Sequence, residues 1–440
     1  MKSHFLISAP SSNSGKTTVT LALLRALKNR GLTVQPFKCG PDYIDPTHHA
    51  HASGNISINL DTFMASESHV KEQYQSYSQA ADVSVTEGVM GLFDGADKMR
   101  GSSAEIAGLL DIPVILVMDA RSMAYSVAPL LYGLKNFRKQ INVVGVIFNF
   151  VNTASHYSFL KDACADVGIE PLGYLPKNEA LQIPSRHLGL HISSETDYEV
   201  IIENAAHAIE ATIDIKRLLE ITQYSKPDTH FKTTFLPKQN LQIAIARDEA
   251  FAFTYHQNIQ VLSTFGQIKW FSPLHDDTMP PADFLYLPGG YPELYSAQLS
   301  NNHSMRESIK AYCESGGLTY AECGGLMYLG ENLTDNNGQT FAMAGALKCS
   351  TTMQNTKMTL GYRTAIWEDF SYKGHEFHYS DFHTNELEKL PVQFLNAKGI
   401  ETHTRLYRHK NTFASYMHVY WGENEHFINK LLKMKGLTRL

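Results

Sequence analysis

The sequence predicts two consecutive α/β domains, each built on a largely parallel sheet. Three observations predict this. Strand-like and helix-like runs alternate through the first half. The strand runs are almost wholly apolar, as they must be when helices cover both sheet faces. A polar stretch with two prolines then interrupts the chain, and a second alternating set follows it.

In the first half, strands are predicted at His4–Ala9, Thr33–Phe37, Asp82–Thr86, Pro113–Asp119, Val143–Phe150 and Glu170–Tyr174. Helices are predicted between them at Lys16–Asn29, Ser66–Ser78, Ser103–Leu110, Ala124–Phe137 and Ser155–Val167. Such alternation implies a parallel sheet with right-handed crossovers. Glu195–Thr222 reads as a closing helix, so the first domain is expected at 1–222. The linker is expected at 223–240 and the second domain at 241–440. That domain opens with a strand at Leu241–Ala246 and continues with a strand at Phe284–Leu287, a helix at Ser304–Glu314 and a strand at Leu318–Ala321. Short strand-like runs fill Thr340 to Tyr420, and no internal repeat is visible.

A chain of 440 residues, 43% hydrophobic and 19% charged, has material for more than one core. Its net charge of -6 argues against nucleic acid or an anionic membrane as partner. The five cysteines are scattered and form no C-x-x-C pair, which argues against a disulfide framework or a zinc site. No stretch approaches the roughly 18 unbroken apolar residues of a membrane span, and the N-terminal apolar run is too short for a signal peptide. The expected setting is the cytoplasm.

Residues 9–18 read APSSNSGKTT between a strand and a helix, the context of a phosphate-binding P-loop. Ser14, Gly15, Lys16, Thr17 and Thr18 are its candidate ATP-binding residues. Gly15 admits close approach to phosphate, Lys16 supplies charge to the β and γ phosphates, and the Thr17 hydroxyl suits Mg²⁺. One position departs from the usual pattern: Pro10 stands where a glycine is customary. Acids cluster after the next two long strands, Asp42 and Asp45 in KCGPDYIDP and Glu87 and Asp94 in EGVMGLFDG. Both segments lie at carboxyl strand ends, where open α/β sheets bind ligands. Glu87 is the first choice of Mg²⁺ carboxylate and Asp42 the second, because the ion prefers hard oxygen donors. Helix caps and turns are the alternative role for each acid. Asn149, at another strand end, is a candidate for reading the adenine edge.

Residues 316–330 read GGLTYAECGGLMYLG. A strand runs into Cys323, two glycines and a helix, which is a nucleophile elbow with cysteine in place of serine. The helix N-terminus is expected to lower the thiol pKa. The Gly290 and Gly324 N–H groups form a candidate oxyanion hole, Gly290 belonging to the turn Leu287-Pro288-Gly289-Gly290. Among 20 histidines, His418 is the best-placed base, late in the chain after a strand-like run.

These motifs together resemble the cobyrinic acid a,c-diamide synthases, corrinoid amidotransferases of cobalamin biosynthesis. The carrying segments are SGKTT (14–18), FKCGPDYIDP (37–46), EGVMGLFDG (87–95), LPGGYPE (287–293), AECGGLMYLG (321–330), GHEFHYS (374–380) and ASYMH (414–418), in order along nearly the whole chain. The resemblance implies a dethiobiotin-synthetase-like P-loop domain followed by a class I-like glutamine amidotransferase domain. It implies Cys323 as glutaminase nucleophile and His418 as the residue that raises its nucleophilicity. Lys38, Asp42, Asp45, Glu87 and Asp94 would serve ATP, Mg²⁺ and the substrate carboxylate, with Asp45 and Asp94 at phosphoryl transfer. The implied substrates are a cobyrinate-type corrinoid, ATP and L-glutamine. Triad-type glutaminases usually carry Glu two residues after the histidine. Here that residue is Tyr420, so the third triad member is left open. Two other readings remain: amidation of another tetrapyrrole such as nickel sirohydrochlorin, or of other corrinoid side chains, and a partitioning-type ATPase switch with an inactive C-terminal domain.

Overall fold

The computed structural model describes residues 2–178, 195–224, 240–354, 357–384 and 386–437. The chain forms two compact units, Met1–Lys232 and Thr233–Leu440. No helix among the described residues is long and apolar enough to cross a membrane.

In chain order the first unit contains β1 (Lys2–Ser8), α1 (Lys16–Asn29), β2 (Val34–Cys39), α2 (Ile44–Ser53), β3 (Ile58–Leu60), α3 (Glu67–Ser78) and β4 (Val83–Glu87). It continues with α4 (Ser103–Leu110), β5 (Val114–Asp119), α5 (Val127–Asn136), β6 (Val143–Val151), α6 (Ala154–Val167), β7 (Glu170–Pro176), α7 (Glu195–Thr212), α8 (Ile215–Ile221) and β8 (Gln223–Tyr224). The sheet order is β3-β2-β4-β1-β5-β6-β7, with β8 paired to β1. Every pairing is parallel except that of β8. Apolar side chains from both faces explain the unpatterned strands: Phe5, Leu6 and Ile7 of β1 are all fully buried.

Three elements of the first unit were not foreseen: α2, β3 and β8. Asp42 starts α2, its Oδ1 accepting the Ile44 and Asp45 N–H groups at 2.9 and 3.0 Å. That local capping makes a helix of a segment with weak apolar periodicity. The single closing helix expected at Glu195–Thr222 is broken, because Ile213 forms a bridge to Gly173 and Asp214 caps α8. The expected linker also starts too early: Gln223 and Tyr224 pair with Ser3 and Lys2. Its remaining residues 225–239 lie outside the described residues.

The second unit has a parallel core of β9 (Leu241–Ala246), β10 (Gly266–Phe271), β11 (Phe284–Leu287) and β12 (Leu318–Glu322). Its main sheet runs β10-β9-β11-β12 and then the strands Thr412–Ser415, Tyr407–His409 and Glu388–Lys389, the last two antiparallel. A second sheet places Met417–Tyr420 beside Phe370–His378, which pairs with Thr359–Trp367. The chain therefore leaves one sheet at Ser415 and enters the other at Met417.

Candidate active site

The phosphate loop joins β1 to α1. Gly15 caps α1 with φ 90, a left-handed conformation that other residues adopt only at a cost. A Cβ there would stand 1.9 Å from Asn149 Nδ2. Asn149 is buried and is occupied within the chain: Nδ2 donates to the Ser14 carbonyl at 3.1 Å and Oδ1 accepts the Phe150 N–H at 2.9 Å. It braces the loop from the neighbouring strand end. Lys16 Nζ donates to the carbonyls of Met90 at 2.6 Å and Ser11 at 3.1 Å, so the segment after β4 lies against the loop.

Glu87 ends β4 and is buried. Its carboxylate accepts Thr17 Oγ1–H at 2.7 Å, pairs with Lys38 Nζ at 3.1 Å and contacts His49 Nε2 at 2.6 Å. Burial pushes its pKa up, but Lys38 and His49 outweigh burial and hold it below the ordinary carboxylate value. Lys38 also pairs with Asp45 at 2.7 Å, both nearly inaccessible. The adjacent Thr17 hydroxyl and Glu87 carboxylate form a hard oxygen pair at the loop, which suits Mg²⁺ shared with nucleotide phosphates. Asp42 Oδ1 sits at the start of α2, where it accepts the Ile44 and Asp45 N–H groups. Asp94 accepts the Gly91 N–H at 3.0 Å and closes a turn whose Leu92 N–H donates to the Ala9 carbonyl, just after β1, at 2.8 Å. His49 was missed with its helix; only the Asp42 cap signal could have found it.

In the second unit Cys323 sits between β12 and the six-residue helix Gly324–Leu329, with φ 45 and ψ -103. A non-glycine residue held at positive φ is the strained elbow the sequence implied. Its N–H donates to Ser415 O at 2.8 Å, fixing it beside the strand that leads to His418. Its thiol points toward the Phe377 carbonyl, Sγ to O 3.8 Å. The expected lowering of the thiol pKa is corrected: burial raises it, and nearby Glu293 adds to the rise. One short helix does not offset full desolvation.

The Leu287–Gly290 turn lies beside the elbow. A Cβ on Gly324 would stand 2.9 Å from the Gly290 nitrogen, so the two candidate oxyanion donors are neighbours. A Cβ on Gly289 would stand 2.2 Å from His418 Cε1. The histidine thus packs directly on that turn. His418 is buried, and burial, with His375 and His378 nearby, holds its pKa well below the ordinary imidazole value. The segment 374–380, whose chemistry was illegible, begins in the strand Phe370–His378 beside it: His375 pairs with His418 in register and their rings stack at 4.9 Å. His375 Nδ1 lies 3.1 Å from Tyr255 OH. Glu376 is spent on Arg363, Thr404 and His378.

Two family models match, a CobQ/CobB/MinD/ParA nucleotide binding domain over residues 5–190 and a CobB/CobQ-like glutamine amidotransferase domain over residues 242–426. The chain is 40% identical over 438 residues to the cobyrinate a,c-diamide synthase of Listeria innocua, covering 95% of this chain and 96% of the relative. It belongs to the cobyrinate a,c-diamide synthase family. The Picrophilus torridus cobyrinate a,c-diamide synthase matches with the same identity and coverage. The hydrogenobyrinate a,c-diamide synthase of Brucella abortus is 40% identical over 425 residues, 94% of this chain and 98% of the relative. As in that family, a nucleotide-binding domain precedes a glutamine amidotransferase domain, so the chain is a glutamine-dependent amide ligase and not an ATPase switch with an ornamental second half.

Proposed function

We propose that the chain uses ATP and glutamine to amidate the a and c carboxylates of a cobyrinate-type corrinoid in the cytoplasm. The observation that carries this reading is the strained Cys323 elbow, beside the Gly289–Gly290 turn against which His418 packs, in a chain that also carries a phosphate loop. The 40% identity over 95% of the chain to a relative named cobyrinate a,c-diamide synthase supports the substrate.

A carboxylate is a poor electrophile because oxide would have to leave. The γ-phosphoryl group of ATP is transferred to the carboxylate oxygen, giving an acyl phosphate and ADP. Lys16 and Lys38 offset the charge that accumulates on the phosphoryl oxygens. Thr17 and Glu87 would hold Mg²⁺, whose contribution when bound is further neutralisation of phosphate charge. In the second unit His418 takes the Cys323 proton as sulfur attacks the glutamine amide carbon. The Gly290 and Gly324 N–H groups receive the oxyanion. His418 returns the proton to the departing nitrogen, ammonia leaves, and water hydrolyses the thioester to glutamate. Ammonia then attacks the acyl phosphate and phosphate departs. Each side chain consumes one ATP and one glutamine.

Mass spectrometry of cobyrinate, hydrogenobyrinate and nickel sirohydrochlorin after incubation with ATP, Mg²⁺ and glutamine tests this. Two acid-to-amide conversions on a cobyrinate-type substrate are expected. Conversion of nickel sirohydrochlorin alone would overturn the assignment.

A further inference from the structure

The position two residues after His418 is Tyr420, whose ring packs edge-on against Tyr255 at 5.3 Å. A carboxyl does approach the histidine from elsewhere. Glu322, the residue before the nucleophile, places Oε2 3.9 Å from His418 Nδ1. Both side chains are almost wholly buried. The carboxyl is held from two sides: Oε1 accepts the Val419 N–H at 2.8 Å and Oε2 accepts Tyr286 O–H at 2.8 Å. One anchor is thus the residue that follows His418, so carboxyl and imidazole are fixed to the same short strand.

We propose that Glu322 is the positioning residue for His418, orienting the ring and stabilising the imidazolium that forms when Cys323 gives up its proton. The proposal rests on the glutaminase reading of Cys323 and His418 and deepens it. The 3.9 Å separation is that of a resting site; such contacts tighten when the base becomes charged. Other groups face the pair. His375 stacks on His418, and His378 and Glu376 act on it from the same strand. Glu293 and Glu376 raise the Cys323 thiol pKa, and Tyr416 lies close enough to feel its charge. Glu376 also acts on His418 but is committed to Arg363 at 2.7 Å, and Glu293 acts on the sulfur; Glu322 is the carboxyl whose oxygen lies 3.9 Å from His418 Nδ1. Burial lifts the Glu322 carboxyl to about 8, tempered by donation from Val419 and Tyr286.

The test uses the full chain with ATP, Mg²⁺ and corrinoid. Glu322→Gln keeps the shape and an accepting oxygen for the Val419 N–H, sets a donating NH2 against Tyr286, and cannot ionise. The pH midpoint of Cys323 alkylation by iodoacetamide, located by peptide mapping, should move up, because the imidazolium partner of the thiolate is less stable. Glutaminase kcat should fall by on the order of 10²-fold while KM for glutamine moves little. Tyr286→Phe should shift the midpoint the same way by less, since losing its O–H raises the carboxyl pKa further. A wild-type midpoint in both variants overturns the proposal, as does joint loss of glutamine- and ammonia-dependent synthesis with a wild-type midpoint in Tyr286→Phe. If Glu322→Gln does not fold, the Tyr286→Phe midpoint decides alone. Glutaminase activity persisting in Cys323→Ser would instead sink the underlying reading, a different failure.

Discussion

Cys323 and His418 are both buried in their neutral forms, the thiol raised and the imidazole lowered. In the proposed mechanism Cys323 acts only in ammonia production. Cys323→Ser should therefore abolish glutamine-dependent synthesis and leave synthesis from ammonium salts within about twofold of wild type. Equal loss with both donors, measured by amide formation, would contradict this. His375 carries a second consequence. Burial, with Arg363 nearby, lowers its pKa to about 3, against an ordinary 6.5. Between those values the unfolded chain binds a proton that the native state refuses. Stability is therefore complete above pH 6.5 and is lost as pH falls toward 3. The loss is about 1.4 kcal/mol per pH unit from this one group. His375→Gln should flatten the pH dependence of urea unfolding between pH 6.5 and 5; an unchanged slope would mean that His375 titrates normally.

At the scale of elements, turns do more than helices to build the glutaminase site. The turn after β11 presents Gly289 to the His418 ring and Gly290 to the elbow, so it sets two components at once. Gly289→Ala would drive a methyl group to within 2.2 Å of the imidazole Cε1, so the ring or the turn must shift. Glutamine hydrolysis should drop by about 10²-fold, while ammonia-dependent synthesis persists. Retained hydrolysis in steady-state assays would show that the ring relocates freely. In the first unit α1 plays the comparable part. Arg25 ties it to Glu199 and Glu203 of α7 and to the Ala52 carbonyl of α2 at 3.1 Å. Arg25→Ala should cost about 2 kcal/mol, discounted because Glu199 is half exposed. A shift in the unfolding midpoint of the first unit reports it.

At the scale of the molecule, the two units perform separable halves of one reaction. Lys16→Ala and Glu87→Gln should depress synthesis by at least about 10²-fold with either nitrogen donor, because both act before ammonia is needed. Normal ammonia-dependent turnover in either variant would misplace the synthetase site. Asp45→Asn removes one of the two buried carboxylates that pair with Lys38, leaving Glu87, and is expected to slow each amidation more than it weakens ATP binding. Quenched time courses resolve the monoamide and so measure each step; wild-type rates for both would make Asp45 purely structural.

Local chemistry made much of this legible. Lys16–Asn29 and Ser103–Leu110 were read to the residue, since cap residues and apolar periodicity act within a few positions. The phosphate loop and the Cys323 elbow were equally plain, because each is a strand, a turn and a helix contiguous in the chain. Even the Asp42 cap was there to be read. What the tertiary structure alone decided is what lies between distant strands: Asn149 bracing Gly15, His49 reaching Glu87, His375 stacking on His418 and Glu322 approaching His418 Nδ1. The rise of the Cys323 pKa belongs with these, because desolvation depends on everything packed around a group. Sequence determined the reactive groups and the turns that hold them; packing determined their partners and their charge, because burial and cross-strand contact arise only when the sheets assemble.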